Sequence, residues 1–464
     1  MRLEQVYLRD IGPFDELHLK LEAGKDPKRA DVYLLTGPNG CGKSTILFAL
    51  AAAIAAHHTC SLNPSSNVNN RFKSRDSFVQ VYFGLDGGVL GVSTTAKKTM
   101  PNHFEPSKGL STYEYSLDFS IVSNIEKTKI LNSLSFYGKA IRQKINSYHD
   151  NLGNFGGSKH VVKFSWAAFA YAGMRSIDDV NVTSIQEPSD SPFDHSLSFT
   201  HTADAKKLAY WIANQEFKSL KAKQAGKEEK AVQLMQSIGN IENTITKIIE
   251  RSFKFVTSEN DSNVRVELDG AVIDLGLLPD GLKSIVSWVA DLLMRLDRIP
   301  WENDTPVLQR SFLLLLDEID IHLHPEWQRK VLPIVQEMFP NAQIIASTHS
   351  PFVVASVSDA QIIPLALDKG KATLLEVQGS QLGVSYSSIL NSIFGISSEF
   401  DLETEADFKR FREAKHRVLL GDVSAEADMR QVFDILKNRS EETATLIAYE
   451  WRQYQRQLEQ KGQA

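Results

Sequence analysis

Nine residues, Gly37 to Thr45, constrain this chain more than any other segment. They read Gly-Pro-Asn-Gly-Cys-Gly-Lys-Ser-Thr: a glycine, four residues, then Gly-Lys-Ser, the spacing of a phosphate-binding loop. Before them, residues 31–36 form a compact apolar run that predicts a strand. After them, residues 44–56 are dense in Ala, Leu and Ile and predict a helix. A glycine loop between strand and helix lets backbone N–H groups curl around phosphate oxygens without a Cβ in the way. The helix that follows aims its positive dipole end, roughly half an elementary charge, at the same oxygens. Gly37, Asn39, Gly40, Gly42 and Thr45 join the nucleotide-binding set on this reading. Lys43 is placed to bridge the β- and γ-phosphates, and Ser44 to hold Mg²⁺.

A second motif lies far downstream. Phe312 to Leu316 are five apolar residues followed by Asp317 and Glu318. Such a run predicts a central parallel strand with its acids emerging at the carboxyl end, where ligands bind in sheets of this kind. Asp317 is expected to organise Mg²⁺, and Glu318 to polarise the attacking water beside the γ-phosphate. Residues 342–347 predict another buried strand, followed by Thr348, His349 and Ser350.

The order of these motifs resembles an ABC-type ATPase of the SMC-like branch. Leu278 to Ser284 stands where that family carries its signature loop, with Pro279 in place of the usual serine. The resemblance implies recognition of a partner subunit's nucleotide through Gly281, with Ser284 as a substitute contact; an ordinary helix-capping turn is the alternative. It also implies that His349 senses the γ-phosphate and that Asp320 contacts the opposite subunit. Asp317 to Gln328, with His322, His324, Pro325 and Trp327, is similar to a string found in bacterial defence-associated ATPases, most like the ATPase subunit of Septu systems. PARIS and overcoming-lysogenization-defect ATPases are more distant. A transition-metal site at His322 and His324 is the competing reading of that string. The glutamine-bearing loop of the family has two candidates, Gln80, which could face solvent, and the segment 171–175; the choice stays open.

The implied fold class is α/β, an ABC-type P-loop ATPase head with a helical insertion and a C-terminal helical region. Residues 1–185 would carry the P-loop and a β-rich lobe, 186–262 the insertion, 263–375 the rest of the head, and 376–464 a helical docking or oligomerisation region. The opening segment alternates: Leu3, Val6 and Leu8 predict one strand, a turn falls at residues 11–14, and Leu17, Leu19 and Leu21 predict a second. Phe78 to Leu85 predicts a strand ended by Gly87 and Gly88. Residues 60–75 form a polar loop and 154–157 a surface turn. Residues 204–254 predict helix, broken near Gly226. Residues 325–338 predict one helix. Phe394, Phe400, Phe408, Phe411 and Phe433 are spaced for a small helical layer, with Trp451 and Tyr454 as an aromatic pair on the last helix.

A net charge of −6 gives no overall basic field, so DNA contact remains only a local possibility. Two cysteines, Cys41 and Cys60, form no disulfide framework. With no apolar stretch near the length of about 20 residues that spans a bilayer and no signal-peptide pattern at the start, a cytoplasmic protein without membrane contact is expected. The acids after His349, Glu399, Asp401, Glu403, Glu405 and Asp407, lie in a helical stretch unlike a nuclease centre. What the resemblance implies is therefore an ATP-binding and hydrolysing regulator. It would assemble as a dimer or larger homo-oligomer of ATP-sandwich pairs and control a nuclease partner, such as an HNH protein, in trans. A DNA-repair or chromosome-maintenance ATPase is the alternative, and the shortness of the insertion counts against it.

Overall fold

In the computed structural model, residues 1–54, 77–85, 88–95, 112–116, 163–173, 188, 191–199, 203, 205–257, 263–396 and 400–462 are described. The loop expected at 60–75 and the turn at 154–157 lie outside them. The chain divides into two compact units, Met1–Ile389 and Leu390–Ala464.

In the first unit, the alternating start folds as a hairpin of β1 (Arg2–Ile11) and β2 (Phe14–Lys20). Val6 pairs with Leu19 and Leu8 with Leu17, which puts the apolar positions on one buried face. A register shift between Leu3 and Gln5, where β1 meets β4 (Phe78–Leu85), lets Leu3 join that face despite its odd spacing. β4 ends at Leu85, before the glycine pair, as expected. Gly88 opens β5 (Gly88–Thr95), which returns antiparallel from a pairing of Leu85 with Gly88. With β6 (Thr112–Ser116) they form a sheet of order β2-β1-β4-β5-β6. Gln80 is not solvent-facing: it is 3% exposed in a strand flanked on both sides.

The second sheet carries the site. Its order is β14-β13-β3-β12-β11-β7, from β3 (Asp31–Thr36), β7 (Ala167–Tyr171), β11 (Phe312–Leu316), β12 (Ala342–Ser347), β13 (Ala360–Asp368) and β14 (Lys371–Leu374). All pairings except that of β14 are parallel. Every residue of β7, β11 and β12 is buried, which explains their unbroken apolar character. Leu316 lies beside Ala346 on one side and Tyr171 on the other, and Ser347 lies beside Leu35. This register brings the carboxyl ends of four strands to one edge of the sheet. Helix α1 (Lys43–Ile54) leaves from the loop at that edge. The class is α/β, as the motif order implied.

The predicted insertion folds as α2 (Ala205–Gln224) and α3 (Glu228–Ile249). The break falls at Gly226, at φ +68°, where Lys227 N–H donates to Ala222 O and Gly226 N–H to Lys223 O. This paired arrangement ends helices at a left-handed glycine. The helix stops short of residue 254, because Phe253–Thr257 forms β8 in a three-stranded sheet with β9 (Val264–Leu268) and β10 (Ala271–Asp274). Helix α4 runs Asp280–Arg298. The single helix expected over 325–338 is two, α5 (Pro325–Gln328) and α6 (Val331–Met338). Helix α7 (Pro351–Ser356) follows β12, and the division between the units falls within α8 (Tyr386–Ser392).

The second unit contains α9 (Leu402–Leu419), α10 (Ala425–Arg439) and α11 (Glu441–Gly462). Phe408, Phe411, Met429, Val432, Leu436, Ile447 and Tyr454 form its core, with Phe400, Phe433 and Trp451 packed against it. The aromatic residues thus bind these helices to one another. Asp401 caps α9, accepting from the N–H groups of Glu403 and Thr404 at 3.0 Å each. Glu403 and Asp407 pair with Arg439. Glu405 accepts from Phe400 N–H at 3.2 Å, and Glu399 lies outside the described residues.

Candidate nucleotide site

The P-loop geometry starts from two glycines. Gly37 has φ +135°, and a Cβ there would lie 2.3 Å from the Leu365 carbonyl oxygen. Gly42 has φ +97°, and a Cβ would lie 2.4 Å from the Phe14 ring. Neither position admits a side chain, so the sheet edge and the β1–β2 turn mould the loop. Asn39 and Gly40 are exposed at its tip. Lys43, 6% exposed, donates to the carbonyls of Gly37 (2.9 Å) and Pro38 (3.1 Å). Burial pushes its pKa down, while Cys41, Asp317 and Glu318 act in the opposite direction. Thr45 is buried beneath the turn at Gly12, whose added Cβ would meet Thr45 Cγ2 at 2.9 Å.

Ser44 and Asp317 are 273 positions apart in sequence and meet at the sheet edge, Ser44 Oγ donating to Asp317 Oδ1 at 3.0 Å. The same oxygen accepts from Ser347 Oγ at 2.5 Å. Ser347 in turn accepts from Glu318 N–H at 2.7 Å, and its carbonyl accepts from Ile319 N–H at 3.1 Å. These bonds hold Glu318 at φ +47°, a left-handed conformation that is uncommon for a residue with a side chain. A Cβ on Gly173, just past β7, would lie 2.7 Å from Glu318 Cβ and 2.8 Å from Oε2. Gly173 therefore lies against Glu318. Gly173 belongs to one of the two candidate glutamine-loop segments; Met174 and Arg175 of that segment lie outside the described residues.

Asp320 is engaged within its own chain. Its Oδ1 accepts from Thr348 Oγ1 at 2.6 Å and from His349 N–H at 3.2 Å, which fixes the loop that carries His349. Burial lowers the His349 pKa and the Lys43 ammonium adds to this; Asp320 and Asp317 work against both. The neutral imidazole is accordingly the favoured form at neutral pH. His324 Nδ1 accepts from Glu326 N–H at 3.3 Å and so serves to cap α5.

The signature-like segment is placed differently. Asp280 to Ser284 form the first turns of α4 rather than a loop before a helix at residue 285. Gly281 is buried, and a Cβ there would lie 2.5 Å from the His322 carbonyl oxygen. Ser284 is 1% exposed, and its hydroxyl has no hydrogen-bond partner among the described residues. Pro279 and Asp280 are the exposed residues of this turn. The structure thus gathers Lys43, Ser44, Asp317, Glu318 and His349 at one edge and leaves Ser284 inside the protein.

Sequence reasoning gave Ser347 no role, and named Gly173 only within the segment 171–175 and Gln328 only as the end of the string that starts at Asp317. A serine ending a buried apolar strand was the available signal for Ser347. For Gly173 and Gln328 the sequence marked the segment but not the contact, because their partners come from other elements.

A family model described as "AAA domain" matches residues 5–254, more than half of the chain. The chain belongs to this family. A second model, "AAA domain, putative AbiEii toxin, Type IV TA system", matches residues 182–355. The chain is an ATPase of α/β fold. It is 25% identical over 400 residues to "Retron Vc95 probable ATPase" of Vibrio cholerae serotype O1 biovar El Tor, covering 78% of this chain and 73% of that protein. It is 28% identical over 173 residues to "Septu protein PtuA" of Bacillus thuringiensis, covering 35% of this chain and 43% of that one. Among solved structures, the SMC head domain from Thermotoga maritima matches at 14% identity and a TM-score of 0.39, covering 82% of this chain and all of that one. Among the described residues no helix is long and apolar enough to cross a membrane.

Proposed function

We propose that this ATPase is the sensor-regulator of an anti-phage defence complex, and that it controls a nuclease acting in trans. The observation that carries the catalytic part is the meeting of Ser44, Asp317 and Glu318 at the carboxyl edge of the parallel sheet, beside the P-loop. Similarity to proteins named for retron and Septu systems carries the biological part.

The Ser44 hydroxyl and Asp317 carboxylate supply oxygen donors within hydrogen-bond reach of each other, which suits Mg²⁺. Bound there, the ion would neutralise phosphate charge. Lys43 would leave the carbonyls of Gly37 and Pro38 for phosphate oxygens. Glu318, held by Ser347, would orient and polarise the attacking water, and neutral His349 would hydrogen-bond the γ-phosphate. The α4 turn of one protomer would face the nucleotide of another through Asp280 and the flanking backbone, in a cytoplasmic homo-oligomer of ATP-sandwich pairs. Residues 376–464 would dock the nuclease, for example an HNH protein. The structural roles of Asp401, Glu403, Glu405 and Asp407 favour a nuclease centre on another chain.

The test is affinity purification of the tagged full chain, parent and Glu318→Gln, expressed with its native gene neighbours, followed by mass spectrometry and light scattering. A nuclease at fixed stoichiometry, with Glu318→Gln binding ATP and accumulating an ATP-dependent larger species, supports the proposal. A chain that emerges alone, with hydrolysis stimulated by DNA ends, would replace it with a repair function.

A further inference from the structure

Gln328 ends the one-turn helix α5, and the two polar atoms of its side chain make three hydrogen bonds to two loops. Its Nε2 donates to the carbonyls of Asp320 (3.1 Å) and Leu323 (2.9 Å), and its Oε1 accepts from Ser350 Oγ at 2.6 Å. Ser350 N–H donates to Thr348 Oγ1 at 3.0 Å, and Thr348 Oγ1 donates to Asp320 Oδ1 at 2.6 Å. These bonds close a ring: Gln328, Asp320, Thr348, Ser350 and back to Gln328.

The proton count is complete. Each hydroxyl donates its single hydrogen once, Thr348 to Asp320 and Ser350 to Gln328. Ser350 Oγ also accepts from the N–H groups of Phe352 and Val353, capping α7. Both amide hydrogens of Gln328 are used on carbonyls, so the amide has one orientation: reversed, it would set its oxygen against two carbonyl oxygens. Thr348 and Ser350 are buried, at 0% and 5% exposed. The ring joins the segment that carries Glu318 to the segment that carries His349, and His349 sits between two of its members.

We propose that Gln328 is a positioning residue for ATP hydrolysis, holding the Glu318–Asp320 segment and the His349 loop in one fixed relation. The inference rests on the assignment of Glu318 and His349 to the hydrolytic site. Gln328 itself touches neither nucleotide nor water on this account. It acts through Asp320 and Ser350, so its loss moves the reacting groups while leaving the P-loop intact. A displacement on the order of 1 Å in such groups costs as much as about 100-fold in rate.

The experiment is steady-state ATPase kinetics on the full chain with Gln328→Ala, Gln328→Glu, Ser350→Ala and the Gln328→Ala/Ser350→Ala pair, alongside nucleotide binding by a fluorescent ATP analogue. Gln328→Glu preserves shape and replaces the amide donor, so it reads the ring even if the alanine variant folds poorly. The expected result is a kcat lower by about 10- to 100-fold with nucleotide affinity within twofold of the parent. The double variant should be no slower than the worse single one, because one ring can be broken only once. Turnover within twofold of the parent in both Gln328 variants, or losses that multiply in the double variant, would overturn the proposal. Lys43→Ala and Glu318→Gln run in parallel: if they also hydrolyse normally, the site assignment falls, whereas if they fail and Gln328 variants do not, this inference alone falls.

Discussion

The phosphate-binding edge of the central sheet and the first turn of α4 belong to the same compact unit, yet they are built in opposite ways. At the sheet edge, polar side chains are partnered by backbone and hydroxyl contacts: Ser44 on Asp317, Ser347 on Asp317 and Glu318. At the α4 turn, the residues expected to reach outward are turned in. Gly281 lies against the His322 carbonyl, and Ser284 is enclosed with an unsatisfied hydroxyl. The first region therefore brings the candidate site residues together within one chain. The second presents Pro279 and Asp280 and keeps the remainder for internal packing.

Four perturbations break or sharpen this contrast. The largest effect belongs to Lys43→Ala, which removes an ammonium donor from the loop. Charge-assisted hydrogen bonds are worth about 1.5–3 kcal/mol each, so losing two weakens nucleotide binding by on the order of 100-fold or more. Equilibrium binding of a fluorescent ATP analogue measures it, and unchanged affinity would remove the P-loop from the site.

Next comes Gly173→Ala, whose added Cβ would meet Glu318 Cβ at 2.7 Å. Pushing the glutamate aside should lower kcat by roughly 10- to 100-fold with little change in nucleotide affinity. Normal turnover in a well-folded variant would mean that the Glu318 side chain can move without consequence.

Ser284→Ala should do far less. It deletes a hydroxyl that is buried without a partner, so unfolding stability stays within about 1 kcal/mol or rises slightly, and turnover stays within about twofold of the parent. A collapse of ATPase activity with an unaltered melting curve would show that this hydroxyl reaches a partner's nucleotide, and the contrast between the two regions would disappear.

The smallest effect is electrostatic. His349 has a pKa below its usual 6.5, with burial as the main cause and Lys43 as the next. Between that lowered value and 6.5 the unfolded chain binds more protons than the folded one. Stability from this group therefore rises with pH across the window and is lost on acidification. Histidine NMR titration should place the His349 midpoint below 6.5, and Lys43→Met should raise it. A midpoint that ignores Lys43 would separate the two residues in space.

The sequence by itself determined the features that depend on neighbours in the chain. The glycine spacing of 37–42 specifies a loop, the five apolar residues before Asp317 specify a buried strand, and Gly226 specifies where the helical hairpin turns. Each follows from local backbone preference or from burial on both faces of a sheet, so a short window of residues contains the cause. Only the tertiary structure decided what depends on strand register and on packing between distant segments. It buried Gln80, set Gly173 against Glu318, turned Asp320 toward Thr348 and His349, and enclosed Ser284. The physical reason is that β3, β7, β11 and β12 end at one edge, and a hydrogen bond or close approach there joins residues whose own neighbours in sequence carry no trace of it.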